Sequence, residues 1–205
     1  DLPAVDDIDG DGDIDILNFN NSGGYIEMFK NTSVEEGYGC DSLHYIFNDN
    51  CWGRIYESGV SEFIDLSPHI DSCPRYPNWT PVKSGPRHAG STLLTIDMDN
   101  DGDKELFLGD LSFKNINKLY NNGNADTAHL STQEIFFPQN SVNVNIDIFP
   151  AAFHLDVNND GRRDFLAAPN IEGSAEDDQT WYYQNTGTDA FPLFNYQQNN
   201  FLVED

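Results

Sequence analysis

Three short acidic loops recur in one frame, and each lies between apolar runs too short for anything but strands. The segments are AVDDIDGDGDIDILNF (4–19), LLTIDMDNDGDKELFLGD (93–110) and AAFHLDVNNDGRRDFLAAP (151–169). Positions 1, 3, 5, 6 and 9 of the frame are Asp7, Asp9, Asp11, Gly12 and Asp15 in the first loop. They are Asp97, Asp99, Asp101, Gly102 and Glu105 in the second, and Asp156, Asn158, Asp160, Gly161 and Asp164 in the third. Five constrained positions do not recur three times by chance. A chain with this feature must place the same tight, negatively charged turn at three equivalent places, so its architecture is a repeat.

The flanks read as strands. Ile14-Asp15-Ile16-Leu17, Leu93-Leu94-Thr95-Ile96, Glu105-Leu106-Phe107-Leu108 and Asp164-Phe165-Leu166-Ala167 are short apolar runs bounded by turn residues. No 3.6-residue apolar stripe is sustained anywhere, so little or no helix is expected. The likeness extends beyond the loops. Phe29-Lys30-Asn31-Thr32, Tyr120-Asn121-Asn122-Gly123 and Tyr183-Gln184-Asn185-Thr186 follow at corresponding places. The unit is therefore strand, acidic loop, strand, turn, strand, polar turn. The loops begin at Asp7, Asp97 and Asp156, so units start 90 and then 59 residues apart. Multi-stranded repeats of about 40–60 residues have the dimensions of propeller blades. The extra length, about residues 34–90, contains all three cysteines, Trp52 and five of the ten prolines. Proline cannot donate to a strand ladder, so this stretch reads as an ordered insertion rather than central strands.

The loop chemistry points to calcium. Ca²⁺ takes six to eight oxygen ligands at about 2.3–2.6 Å. Carboxylates at alternate positions of a tight loop face inward, and Gly at position 6 allows the sharp turn. Position 7 would offer its backbone carbonyl, so its side chain is free to vary, as it does among Asp13, Asp103 and Arg162. Position 9 returns a carboxylate from the next strand. Without a cation such clusters repel themselves; with one, the repulsion becomes ligation and metal binding helps folding. About three ions are expected per chain. An EF-hand or dockerin-like helical pair is disfavoured, because position 12 is Asn18, Leu108 or Ala167 rather than Glu, and the flanks read as strands. Metal-free acidic turns are the plainer reading, since Asp-Gly is a common turn former, but three in one frame argue against it.

The formal net charge of −25 repels nucleic acid and anionic membranes. No apolar run approaches the ~18–20 residues of a membrane span. Cys40 and Cys51, close in sequence within one loop-rich stretch, are the expected disulfide, leaving Cys73 over. No H-E-x-x-H, G-x-S-x-G, P-loop or G-x-G-x-x-G occurs, and no catalytic residue is assigned. Trp52, Trp79 and Trp181 are candidates for sugar platforms or for core packing. Asn20, Asn31 and Asn78 fit N-x-[ST], and Ser42 and Thr127 fit an Asp-[Ser/Thr]-small or aliphatic pattern for O-glycosylation.

The pattern D-x-[DN]-x-D-G-x-x-[DE] between two strands resembles the FG-GAP/VCBS repeat of integrin-α-like β-propellers. The F/Y-x-N-[TG] that follows is similar to the third strand and exit turn of such a blade. The resemblance covers about residues 4–33, 91–125 and 148–190, and is closest to large secreted bacterial proteins that often carry a type IX sorting domain. It implies an all-β chain of about three propeller blades, or three and part of a fourth, belonging to a larger propeller. Calcium would lie between the first and second strands of each blade. Blade 1 would span about 1–60, the insertion about 34–90, blade 2 about 91–147 and blade 3 about 148–205. The implied function is a secreted or cell-surface, non-enzymatic module that binds a protein or glycan. It would be part of a larger chain or assembly and would not insert into a membrane. The alternatives are the propeller part of a calcium-dependent polysaccharide lyase, marked by Arg54, Arg87, Trp52 and Trp79 around one groove, and a passive structural or carrier subunit.

Overall fold

A computed structural model describes residues 1–20, 24–38, 42–74, 91–171 and 179–202. The described chain is all-β, with one short 3-10 turn at Trp52–Arg54 and no α-helix among the described residues. Three four-stranded antiparallel meanders carry the fold. The first consists of β1 (Ala4–Asp6), β2 (Asp15–Phe19), β3 (Ile26–Asn31) and β4 (Tyr45–Asp49). The second consists of β7 (Ser91–Ile96), β8 (Glu105–Asp110), β9 (Ile116–Asn121) and β10 (Leu130–Glu134). The third consists of β11 (Pro150–Leu155), β12 (Asp164–Pro169), β13 (Trp181–Asn185) and β14 (Phe194–Gln198). A small hairpin, β5 (Ile55–Tyr56) with β6 (Asp65–Leu66), lies between the first two.

Each acidic loop joins the first and second strands of a meander, and the register is the same in all three. Asp6 pairs with Asp15, Ile96 with Glu105 and Leu155 with Asp164. The three first strands stand side by side. Leu2 bridges Thr92 in parallel, with Leu2 N–H to Ser91 O and Leu93 N–H to Leu2 O both at 2.9 Å. The Thr92 hydroxyl then donates to Pro150 O at 2.8 Å, tying β7 to the start of β11.

Strand alternation puts one apolar set of each sheet inside. Between the first and second sheets lie Leu17, Ile26, Met28, Leu93, Leu106, Leu108 and Leu119. Between the second and third lies an aromatic-rich cluster in which Phe107, Phe137 and Phe165 meet with ring centroids 4.9–5.6 Å apart. Gly109 lets these sheets approach: a Cβ there would stand 1.9 Å from Pro150 O.

The insertion packs against the outer strand of the second sheet. Trp52 and Ile55 are sealed in the first core beside Leu130. Gln133 exchanges hydrogen bonds with the backbone of Ile64 (3.0 and 2.9 Å), and Asn117 donates to Glu62 O at 2.7 Å.

The disulfide corrects the expected pairing. Cys51 is bonded to Cys73, not to Cys40, which lies outside the described residues. Cys51 caps the 3-10 turn with 1% of its surface exposed. Arg54 from that turn donates to Ile70 O at 2.7 Å, and Ser67 N–H donates to Arg54 O at 3.0 Å, so the 67–73 segment is held over Cys51.

Candidate metal centres

All three loops fold by the same hydrogen bonds. The position-1 carboxylate receives the position-6 glycine N–H: Gly12 to Asp7 at 3.2 Å, Gly102 to Asp97 at 3.3 Å, Gly161 to Asp156 at 2.9 Å. The position-5 carboxylate receives the position-7 N–H: Asp13 to Asp11 at 3.1 Å, Asp103 to Asp101 at 3.0 Å, Arg162 to Asp160 at 3.0 Å. Position 6 has φ of +98°, +92° and +85° in Gly12, Gly102 and Gly161, where only glycine is unstrained. Position 4 is left-handed as well, at Gly10, Asn100 and Asn159. That second constraint is visible in the sequence as Gly or Asn at position 4.

Position 9 is a hub. Asp15, Glu105 and Asp164 are almost fully buried. Each receives the position-2 N–H: Ile8 at 3.1 Å, Met98 at 2.7 Å, Val157 at 3.4 Å. Each also receives the backbone N–H of the third-strand asparagine, with Asn31 to Asp15 and Asn185 to Asp164 both at 2.8 Å, and Asn121 to Glu105. Those asparagines pin the next turn with their side-chain oxygens: Asn31 accepts from Ser33, Asn121 from Gly123 and His129, Asn185 from Gly187 and Leu193. These asparagines are therefore the link from acidic loop to exit turn; the sequence pattern aligned Asn31 and Asn185 correctly but placed Asn122 where the structure puts Asn121. Being 2% exposed, Asn31 has no room for a glycan in the folded chain.

The loops differ in how their carboxylates converge. Oxygens of Asp7, Asp9 and Asp15 lie within 4.8 Å of one another, as do those of Asp9, Asp11 and Glu35, and those of Asp97, Asp99 and Asp101. In the third loop Asn158 replaces a carboxylate: its side-chain oxygen receives Asp160 N–H at 2.8 Å, and its amide donates to the Tyr182 hydroxyl at 3.1 Å. At position 7, Asp13 accepts Val34 N–H at 3.0 Å, and the Arg162 guanidinium lies on Asp160.

Asp103 fits a cation best. It is 3% exposed, and its Oδ1 has no hydrogen-bond partner. Burial, followed by the charges of Asp101, Asp99 and Asp97, pushes its carboxyl up to about 6. Burial likewise lifts Asp15 to about 6 and Glu105 to about 7. A buried carboxyl lined by other carboxylates is a donor set made for a hard cation.

The remaining sequence candidates are placed as follows. Trp52 (3% exposed) and Trp181 (8%) are core residues, and neither offers a face to a sugar. Arg54 is paired with Asp49 at 2.5 Å and bonded to Cys51 O. Trp79 and Arg87 lie outside the described residues, as does Asn78. Ser42 is exposed, and Thr127 sits in a tight turn with Asn124. A cleft of about 350 Å³ opens between the ends of the three first strands, lined by Asp6, Asp97, Lys104, His154, Arg163 and Asp189. Its cations are already paired, Lys104 with Asp6 at 3.2 Å and Arg163 with Asp189 at 3.4 Å. No helix of the described chain is long and apolar enough to cross a membrane. The chain matches no family model and no curated protein.

Proposed function

We propose that this chain is a secreted or cell-surface calcium-binding segment, built of three propeller-type blades and serving as a non-enzymatic binding module for a protein or glycan. The observation that carries the calcium reading is Asp103: a carboxylate sealed from solvent, without a partner for Oδ1, against three more carboxylates of one loop. The shared frame extends that reading to the other loops, giving about three ions. Calcium rather than magnesium suits flexible, oxygen-only loops of this kind, and sites of modest affinity would fill at millimolar extracellular calcium. The Cys51–Cys73 bond is compatible with an oxidising compartment.

A binding role within a larger assembly is supported by one face of the first sheet. Val5, Ile16, Phe29 and Phe47 are cross-strand neighbours in one row over all four strands, and Val5 and Phe47 are 60% and 56% exposed. Such a row, left open to water, is what a further sheet or a protein partner would cover.

Terbium luminescence tests the calcium reading. Terbium(III) takes calcium's place, and Tyr182, whose hydroxyl contacts Asn158 and Asp164, would sensitise it. The expected result is sensitised emission that calcium abolishes and equal magnesium does not. Absence of emission, or removal by both ions alike, would reject the reading.

A further inference from the structure

The three loops share a backbone frame but not a charge balance. Counting positions 1, 3, 5, 7 and 9, loops 1 and 2 each carry five acids, and loop 3 carries three acids and an arginine. Loop 1 also has a lysine in place. Lys30, on β3, puts its ammonium against Asp9, at 3.1 Å from Asp11 and at 2.6 Å from Glu35. The residue at this point of the third strand is Tyr120 in the second unit and Gln184 in the third, neither of them cationic. Loop 3 holds its own cation: Arg162 grips Asp160 through Nε at 3.3 Å and Nη2 at 2.8 Å, and is anchored on Gly187 O.

Loop 2 has no such occupant. Among the described residues no ion pair is formed by Asp97, Asp99, Asp101 or Asp103; the position-7 Oδ1 is unpartnered in both of the first two loops, at Asp103 and at Asp13, so the missing counter-cation is what distinguishes loop 2. Lys118, on its third strand, is buried with its ammonium over the Tyr120 ring at 4.1 Å; its charge is felt by Glu105 and Asp99, but it forms no ion pair with either. With each attached cation counted, the five positions carry −4, −5 and −2 in chain order; Glu35 brings loop 1 level with loop 2, so what sets these two apart is the hold of Lys30 on Asp9 and Asp11 rather than net charge.

We propose that calcium fills loop 2 first, and that Lys30 and Arg162 are tethered counter-cations that compete with calcium for Asp9, Asp11 and Asp160, making loops 1 and 3 the weaker sites. This rests on the calcium reading above and assigns these two side chains the setting of affinity. A bound ion must draw on the carboxylate oxygens that the ammonium and guanidinium hold, and must bear the repulsion of a positive charge a few ångströms away. Removing that charge strengthens ion binding at short range, by tenfold or more.

Calorimetric titration of the whole chain with calcium tests this, using wild type, Lys30→Gln, Arg162→Gln and Asp99→Asn/Asp101→Asn, each shown by circular dichroism to be folded in chelator. The wild type should bind one ion at least tenfold more tightly than the others. Lys30→Gln and Arg162→Gln should each tighten one weak site tenfold or more and leave the tight site unchanged. The Asp99→Asn/Asp101→Asn protein should lose the tight phase alone. The proposal is overturned if three sites titrate with equal affinity, if both single variants stay within twofold of wild type, or if the loop-2 variant keeps the tight phase. A wild type that binds no calcium would defeat the calcium reading itself, an outcome distinct from binding without gradation.

Discussion

Replacing Asp103 with Asn should change stability in opposite directions with and without calcium. In metal-free protein the Asp103 carboxyl is buried among Asp101, Asp99 and Asp97 and is pushed from 3.8 to about 6. Each pKa unit corresponds to about 1.4 kcal/mol, so ionisation at pH 7.5 costs the folded state at most about 3 kcal/mol. Asn keeps the shape and removes the charge, but its amide must also be desolvated, so a net gain of about 1–2 kcal/mol is expected in chelator. With calcium the lost charge weakens the loop. At 100-fold excess over Kd an ion contributes about 2.7 kcal/mol, and a tenfold loss of affinity removes about 1.4 kcal/mol of that. Urea unfolding at pH 7.5, once in excess chelator and once in millimolar calcium, reads both terms. Asp103→Asn should unfold at higher urea than wild type in chelator and show a smaller calcium increment. If it is less stable than wild type in chelator, or its calcium increment is unchanged, the picture of a carboxylate cage built around a cation is wrong.

Other consequences are as direct. The folded pKa values of Asp15, Asp103 and Glu105 are raised to about 6, 6 and 7. Their contribution is full below about pH 4 and is lost as pH rises through 6–7. His154, pushed down to about 4 by burial and Arg163, opposes them with one proton against three. Chelated protein should therefore gain stability from pH 7.5 to 5.5, whereas calcium-loaded protein, whose carboxylates are held ionised, should lose it; denaturant midpoints across that range check the sign. Gly109→Ala would press a methyl against Pro150 O and break the 2.8 Å bond from Thr92, separating the second and third sheets. A loss of about 3–5 kcal/mol is expected, and a change under 1 kcal/mol would mean that the sheets do not approach as described. Cys51 and Cys73 close a loop of 22 residues, so Cys51→Ser/Cys73→Ser should lose about 3 kcal/mol. Thiol titration of the unreduced wild type should find one free cysteine per chain, not three.

What the sequence revealed and what it hid follow from the range of the interactions. The loop frame, its placement between strands and the absence of helix were legible, because turn geometry and strand alternation are written in neighbouring residues. The fourth strand of each meander was not. β4, β10 and β14 have mixed burial, with Ile46 and Phe47 exposed and Glu134 half-buried, so no apolar period announces them. The disulfide was misassigned because nearness in sequence favoured Cys40, while the Arg54 and Ser67 contacts that bring Cys73 to Cys51 span 13–16 residues. Trp52 illustrates the same limit: the sequence left it open between a sugar platform and core packing, and only the contact with Leu130 from a distant strand decides for the core. The counter-charge in loop 1 was hidden in the same way, since Lys30 lies on β3, the second strand after the loop it reaches.

The central claim, that these loops are structural calcium sites, is tested most directly by counting metal and melting the same sample. Protein equilibrated in millimolar calcium and freed of loose ions should retain about three calcium ions per chain, and excess chelator should lower its Tm by roughly 10 °C or more. A chain that retains no calcium and melts at the same temperature in chelator would contradict the account and leave the three loops as acidic turns.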